Sequence, residues 1–245
     1  MPPVEQATPD AQETLADWLH LALTPGIGPV HGSQLLARIG SPGERHRLPI
    51  DELARALGSM RLARALMAGD AGRDAGIAAS LAWQRADPTH HLISRADPRY
   101  PPRLLHLADA PLLLYVCGDP ACLSMRQLAI VGSRRATALG LATATSLAEA
   151  LARSGWVITS GLAEGIDRAA HEGALRATGG TGGTGATGGT AGPGGRPAMT
   201  VAVMGTGADR IYPARHRTLA GDIVAGSGAL VTELPPGTGP VAANF

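Results

Sequence analysis

The apolar residues in the first part of the chain recur at the spacing of amphipathic helices. Between about residues 12 and 85 they return every three to five positions, as Leu15, Leu19 and Leu23 do. Pairs of proline and glycine interrupt this pattern and divide it into short segments. The pattern therefore predicts a small all-helical domain over residues 12–88, after a disordered N-terminus over residues 1–11.

From residue 89 onward the pattern changes, because short apolar runs alternate with longer amphipathic segments. The runs cover residues 112–116, 128–131, 156–159, 200–204 and 229–232, and the segments between them predict helices near 137–153, 167–176 and 214–225. This alternation is typical of a parallel sheet covered by helices. The sequence thus predicts an α/β fold, with a Rossmann-like, mostly parallel sheet over residues 89–245 behind the small all-α domain.

One segment of the second part has a composition of its own. Residues 179–195 include ten glycines among seventeen residues and contain no side chain that could fill a core. A glycine-rich phosphate loop would run directly from a strand into a helix, whereas this segment follows a predicted helix and precedes a strand. We therefore expect a flexible insertion.

The charged residues narrow the chemistry that is available. All 21 basic side chains are arginines, and against 20 acidic ones they leave a net charge of +1. The lack of lysine excludes Walker A ATPases, protein kinases, Schiff-base enzymes and enzymes that use pyridoxal phosphate. Arginine is then the only permanent cation that can hold a phosphate. The basic surplus is in the second part, with 13 arginines against 10 acidic residues.

The sequence gives no indication of export or of disulfide bonding. Residues 1–10 lack an apolar core, and no run of about 18 apolar residues occurs anywhere in the chain. Cys117 and Cys122 have neither the spacing of a redox pair nor that of half a zinc site. We therefore expect a cytoplasmic protein with reduced thiols, no membrane span, no bound metal and no cofactor.

Three of the predicted strands end in glycine-containing turns. The turns are Gly132-Ser133-Arg134, Ser160-Gly161 with Gly165 close behind, and Gly205-Thr206-Gly207. The carboxyl ends of parallel strands share one edge of the sheet, where glycine lets a ligand approach free backbone N–H groups. We therefore expect a phosphate-binding edge. Dinucleotide binding is disfavoured, because no turn has the G-x-G-x-x-G spacing and no acidic residue follows the first turn by about twenty positions.

Arg134 is the strongest candidate for contact with a phosphate. A guanidinium directly after a Gly-Ser turn can form a forked pair with a phosphate near a helix N-terminus. Asp167 is expected at the start of a helix, where aspartate commonly caps free N–H groups. His171 follows one helical turn later and either faces the crevice or packs inside. The sequence offers no nucleophile to complete a catalytic pair of these two residues.

A Gly26-Ile27-Gly28 turn in the helical part resembles the hairpin of helix-hairpin-helix DNA-binding modules. Glycines at a helix start leave N–H groups free for a DNA phosphate. Pro29 removes one such donor, and few cations lie nearby. A tight structural turn is at least as compatible with this segment.

The motifs of the second part, taken in order, resemble the DNA-processing protein A family (DprA or Smf) of bacterial natural transformation. They are DPRYP at 97–101, PLLLY at 111–115, AIVGSR at 129–134, SGLAEGID at 160–167 with AH at 170–171, TVAVMGTG at 200–207, IYP at 211–213 and TELPPGT at 232–238, with NF at 244–245.

This resemblance implies an extended Rossmann fold behind a sterile-alpha-motif-like helical domain. It also implies a non-enzymatic protein that binds single-stranded DNA, hands it to the RecA recombinase and forms a homodimer. The phosphate pocket would then comprise Gly132, Ser133, Arg134, Ser160 and Gly161, together with a basic residue before the strand at 200, for which Arg196 is the nearest choice. Gly165, Asp167, His171, Gly205 and Gly207 would support that pocket.

The chain differs from the family pattern at its end and in its insertion. The family motif at 244–245 continues into a basic helix, whereas this sequence ends at Phe245, which suggests a C-terminally truncated member. One alternative is a Rossmann-like nucleotide phosphoribohydrolase, whose Pro-Gly-Gly-x-Gly-Thr loop has a partial counterpart at Pro193-Gly194-Gly195. Another alternative is a folded but inactive truncated remnant.

Overall fold

A computed structural model describes residues 10–177 and 199–241 of the chain. The helices in these ranges are α1 (Asp10–Leu23), α2 (Pro29–Ile39), α3 (Ile50–Leu57), α4 (Met60–Met67), α5 (Ala71–Ala86), α6 (Ala138–Arg153), α7 (Ile166–Arg176) and α8 (Arg217–Ala225). The strands are β1 (His90–Ser94), β2 (Leu113–Gly118), β3 (Gln127–Ala129), β4 (Val157–Ser160), β5 (Thr200–Val203) and β6 (Ala229–Thr232). Most of the predicted disordered N-terminus, the predicted insertion at 179–195 and Arg196 lie outside the described residues.

Helices α1 to α5 form the predicted all-helical part. Each contributes leucines or a tryptophan to one buried cluster, in which Leu19, Leu35 and Leu53 are fully buried. Polar caps fix where two of these helices begin: the Ser59 hydroxyl accepts the N–H of Leu62 before α4, and the Asp70 carboxylate accepts the N–H of Arg73 before α5. The apolar spacing of the sequence therefore corresponds to the buried faces of these helices.

The helical part packs directly on the first two strands. The Ser80 hydroxyl in α5 is 2.8 Å from the Tyr115 hydroxyl in β2, and Trp83 stacks on His90 of β1 with the ring centroids 4.2 Å apart. The buried cluster of the helices also includes Leu92, Leu112 and Leu113. One continuous core thus joins the helices to one side of the sheet.

The six strands form a single mixed sheet in the order β1-β2-β6-β5-β4-β3. The pairs β3–β4, β4–β5 and β5–β6 are parallel, as predicted, whereas β2 is antiparallel to both β1 and β6. The sequence did not predict β1, because only Leu92 and Ile93 are apolar between two histidines and a serine. The predicted helix over 214–225 starts as a 3-10 turn, Ala214–His216, and continues as α8.

Each connection from β3 to β6 moves one strand in the same direction across the sheet. With right-handed crossovers, this places α6, α7 and α8 on one face. Helices α6 and α7 approach closely because small residues line their contact, including Ala148, Ala152 and Ala170. The carboxyl ends of β3, β4 and β5 therefore share one edge, as the sequence predicted. Among the described residues, no helix is long and apolar enough to cross a membrane.

Gly173 provides a test of the contact between α6 and α7. A Cβ atom at Gly173 would be 2.3 Å from the Thr145 carbonyl oxygen, whereas a Cβ atom at Gly221 in α8 would meet nothing within 4 Å. We expect Gly173→Ala to lower the free energy of unfolding by about 1–3 kcal/mol through overpacking. The matched change Gly221→Ala should raise it by about 0.5–1 kcal/mol through helix propensity. Denaturant unfolding measures both changes, and equal effects would contradict the close approach.

Candidate phosphate-binding site

Two loops at the carboxyl ends of β3 and β4 contact each other through their backbones. The Ile166 N–H at the start of α7 donates to the Ser133 carbonyl oxygen at 3.2 Å. A Cβ atom at Gly165 would be 2.1 Å from that same oxygen, and one at Gly132 would be 2.7 Å from the Ile166 side chain. Gly165 also has a φ of +75°, which glycine adopts readily. Glycine at both positions therefore allows the loops to meet.

Ser160 and Gly161 use their donor groups inside the protein. The buried Ser160 hydroxyl donates to the Ile130 carbonyl oxygen at 2.7 Å, which joins the end of β4 to the end of β3. The Gly161 N–H donates to the Asp167 carboxylate at 3.1 Å. Asp167 was expected to cap its own helix, but its carboxylate reaches back to the preceding loop. In this arrangement all three residues fix the shape of the loop between β4 and α7.

Four arginines from three parts of the chain line one pocket of about 470 Å³ beside these loops. Arg134 and Arg135 lie in the loop before α6, Arg168 lies in the first turn of α7, and Arg215 lies in the 3-10 turn before α8. Gly165 also lines the pocket. The structure therefore brings Arg134 together with Gly132, Ser133 and Gly165, and adds three cations that we did not single out from the sequence.

Two glutamates share the pocket with the arginines. Glu164 forms an ion pair with Arg215, and the Arg168 Nε atom is 2.6 Å from the Glu172 carboxylate. The four arginines and two glutamates of the lining leave a formal charge of +2. The Ser133 hydroxyl accepts the Arg135 N–H at 3.0 Å, which fixes the turn that carries Arg134.

This arrangement is suited to binding anions. Guanidinium groups form forked, charge-assisted hydrogen bonds with phosphates, and the N-terminus of α7 adds a partial positive charge at the pocket. Arg134 and Arg135 are exposed, so a polyanion can reach them from solvent. Within residues 10–177 and 199–241, no group of three histidine, cysteine or acidic side chains could hold a metal ion.

His171 lies in the core and does not face the pocket. Its Nδ1 atom is 2.8 Å from the Thr200 hydroxyl of β5, and its buried Nε2 atom has no hydrogen-bond partner among the described residues. Burial, helped by the charge of His216, lowers the pKa of His171 to about 3. The sequence was compatible with a His171 side chain that faces the crevice or one that packs inside, and in the structure it packs inside.

The third glycine turn lies apart from the arginine pocket. Gly205 and Gly207 are both buried, and the Gly207 N–H donates to the Thr238 carbonyl oxygen at 2.9 Å. A Cβ atom at Gly207 would be 2.4 Å from the Pro235 carbonyl oxygen. This turn therefore accommodates the segment after β6. We expected all three glycine turns to form the phosphate-binding edge, but only the first two lie at the arginine pocket.

The Gly26-Ile27-Gly28 turn has the features of a structural turn. Ile27 is buried in the helical core, and the cleft beside the turn includes the acidic residues Asp109 and Glu233. No arginine is among the described residues that line this cleft. The Arg61 guanidinium lies beside Gly26, on the other side of the turn from this acidic and apolar cleft.

The sequence held a signal for the arginines that were missed. Arg135 follows Arg134 directly, and Arg168 and Arg215 lie near the starts of the next two predicted helices. Because the starts of these helices meet at one sheet edge, an arginine near each of them is a candidate for the same site.

Comparisons with known proteins identify similar chains. The family described as DNA recombination-mediator protein A matches residues 91–193 and 195–245. The protein Smf of Escherichia coli K12 is 39% identical over 169 residues, which are 69% of this chain and 40% of that protein. The DNA processing protein DprA of Streptococcus pneumoniae R6 is 34% identical over 149 residues, or 61% and 45% of the two chains. The chain thus matches less than half the length of these relatives.

Solved structures share the fold. An X-ray structure of DNA processing protein A from Streptococcus pneumoniae superposes with a TM-score of 0.69 at 26% identity, and the match covers 94% of this chain and 71% of that one. DNA processing protein A from Helicobacter pylori, whose structure was described for its unique single-stranded DNA binding mode, matches with a TM-score of 0.50 at 27% identity. That match covers 64% of this chain and 60% of the other.

The lowered pKa of His171 predicts a dependence of stability on pH. A histidine in the unfolded chain takes up a proton near pH 6.5, whereas folded His171 stays neutral down to about pH 3. Its contribution to stability is therefore complete above pH 6.5 and is lost as the pH falls toward 3. When the pH is lowered from 7 to 5, we expect the free energy of unfolding of the parent protein to fall by about 2 kcal/mol more than that of His171→Gln. Denaturant unfolding measures this difference.

The exposed residue His106 provides the control for this prediction. His106→Gln should lose stability on acidification as the parent does. An equal pH dependence in His171→Gln and parent would show that His171 does not cause the loss.

Proposed function

Because the chain belongs to the DNA recombination-mediator protein A family, we propose that it binds single-stranded DNA through the arginine pocket. The observation that carries this proposal is the convergence of Arg134, Arg135, Arg168 and Arg215 on one pocket beside two backbone loops. Binding is electrostatic: the guanidinium groups, together with the exposed Gly132-Ser133-Arg134 turn, hold successive phosphates, with little reading of the bases. The Helicobacter pylori neighbour supports this choice of nucleic acid.

The shape of the site favours a single strand over a duplex. The arginines surround a concave pocket, and a flexible strand can bend its phosphates into it, whereas a stiff duplex cannot. Reading of a duplex by a helix needs a basic helix that can enter the major groove. The exposed positions of α6 instead include Leu139 and Leu147, and the charged pair Glu149 and Arg153 lies at its far end.

We further propose that the protein acts without catalysis, in the cytoplasm, as a mediator that hands the strand to the RecA recombinase and forms a homodimer. The family description as a recombination mediator supports this role. Arg196 is proposed as an additional phosphate contact because it is a cation just before β5 in the sequence. Release of adenine from AMP by the purified protein would support the phosphoribohydrolase alternative instead.

The preference for single strands is tested by competition. In a gel shift with equal phosphate concentrations, unlabelled oligo-dT should displace a labelled single strand at a lower concentration than an unlabelled duplex does. The reason is that only the single strand can adapt to the pocket. Equal or stronger competition by the duplex would contradict the proposed function.

Arg134 is tested by substitution. Arg134→Ala should weaken binding to oligo-dT and reduce the slope of log K against log salt concentration by about 0.7, the share of one single-strand phosphate contact. Oligo-dA should show a similar loss, because a phosphate contact carries no base information. Fluorescence anisotropy at several salt concentrations measures both quantities.

Arg85, exposed at the end of α5, provides the matched control. Arg85→Ala removes the same charge outside the pocket and should change neither the affinity nor the salt slope beyond a small amount. An unchanged circular dichroism spectrum shows that both variants are folded. Parent-like binding by Arg134→Ala would remove Arg134 from the site.

A further inference from the structure

Glu164 occupies a particular position in the arginine pocket. It lies in the loop between β4 and α7, and its carboxylate pairs with Arg215 of the 3-10 turn before α8. It also lines an adjoining cavity of about 210 Å³, together with Arg134, Tyr212 and Pro213. Glu164 is therefore the acidic side chain that the two cavities share.

The second glutamate of the pocket differs in geometry. Glu172 pairs with Arg168 four residues earlier on the same helix, so this pair is local to α7. The pair of Glu164 and Arg215 instead joins two separate segments across the pocket. A phosphate that enters beside Arg134 thus meets the Glu164 carboxylate, and Arg215 is already neutralised by it.

The pair between Glu164 and Arg215 can open without disturbing the fold. The Arg215 side chain is 66% exposed and that of Glu164 is 39% exposed. Exposed ion pairs contribute little to stability, because water and salt screen them. A phosphate can therefore take the place of the Glu164 carboxylate on Arg215.

We infer that Glu164 is an internal counter-anion that competes with the DNA phosphate for Arg215 and so limits the affinity of the site for single strands. This inference rests on the proposed function and adds to it a residue that sets binding strength. As a consequence, Arg215 exchanges between its ion pair with Glu164 and a bound DNA phosphate. Such exchange speeds release of the strand.

Glu164→Gln tests the competition directly, because glutamine keeps the size of the side chain and removes its charge. We expect the variant to bind oligo-dT about fivefold more tightly, because a phosphate no longer has to displace the carboxylate from an exposed ion pair on Arg215. Its salt slope should steepen by about 0.7, since Arg215 then neutralises one more phosphate and the strand releases the counterions of that phosphate into solution. Dissociation should slow in proportion to the gain in affinity.

Glu149→Gln is the matched control. Glu149 pairs with Arg153 at 2.5 Å near the end of α6, outside the pocket, and its substitution raises the net charge by the same amount. It should change the affinity less than twofold. An equal gain from Glu149→Gln and Glu164→Gln would show a general charge effect and overturn the inference.

A double-mutant cycle separates competition for Arg215 from simple repulsion. If Glu164 neutralises Arg215, then Arg215→Ala costs little affinity in the parent and several-fold more in the Glu164→Gln background. Equal losses in the two backgrounds overturn the inference. If parent binds oligo-dT and Glu164→Gln binds it no better, only the inference fails. If neither protein binds, the proposed function fails and the inference fails with it.

Discussion

The candidate site depends on one backbone contact, between the Ser133 carbonyl oxygen and the Ile166 N–H. This contact brings the loop after β3 against the N-terminus of α7, so that Arg134 and Arg168 line the same pocket. It requires Gly165, since any Cβ atom there would overlap the Ser133 oxygen. The sequence suggested that glycines at this edge allow a ligand to approach. In the structure, Gly132 and Gly165 first allow two parts of the protein to approach each other.

Around this contact the polar groups fall into two sets with different roles. Ser160 and Asp167 are buried, and their hydrogen bonds stay within the protein, so they hold the loops in one shape. Arg135 is an exposed residue and the Arg215 side chain is 66% exposed, so both can adjust to a ligand. A fixed backbone with adjustable arginine side chains suits a ligand such as a nucleic acid strand, in which the phosphates are regularly spaced and the bases vary.

Much of the fold could be predicted from the sequence, because short apolar runs and alanine-rich segments have distinct periods. The strands from β2 to β6 and the helices α6 and α7 were predicted near their observed positions. The direction of β2 was not, since strand polarity depends on pairing with β1 and β6, which its own residues do not encode. Arg134 was found because it follows a glycine turn. Arg168 and Arg215 follow no glycine turn directly, and their positions near the starts of two predicted helices mark them only once those starts are placed at the same sheet edge.

The core that the helices share with β1 and β2 determines how the molecule comes apart. Removing the helical part would expose Leu112, Leu113 and Tyr115, which are buried in its cluster. It would also break the contact between the Ser80 and Tyr115 hydroxyls. Because Tyr115 pairs with Thr232 in β6, that loss would extend to the middle of the sheet. Because the helices and the sheet share this core, we expect them to unfold together.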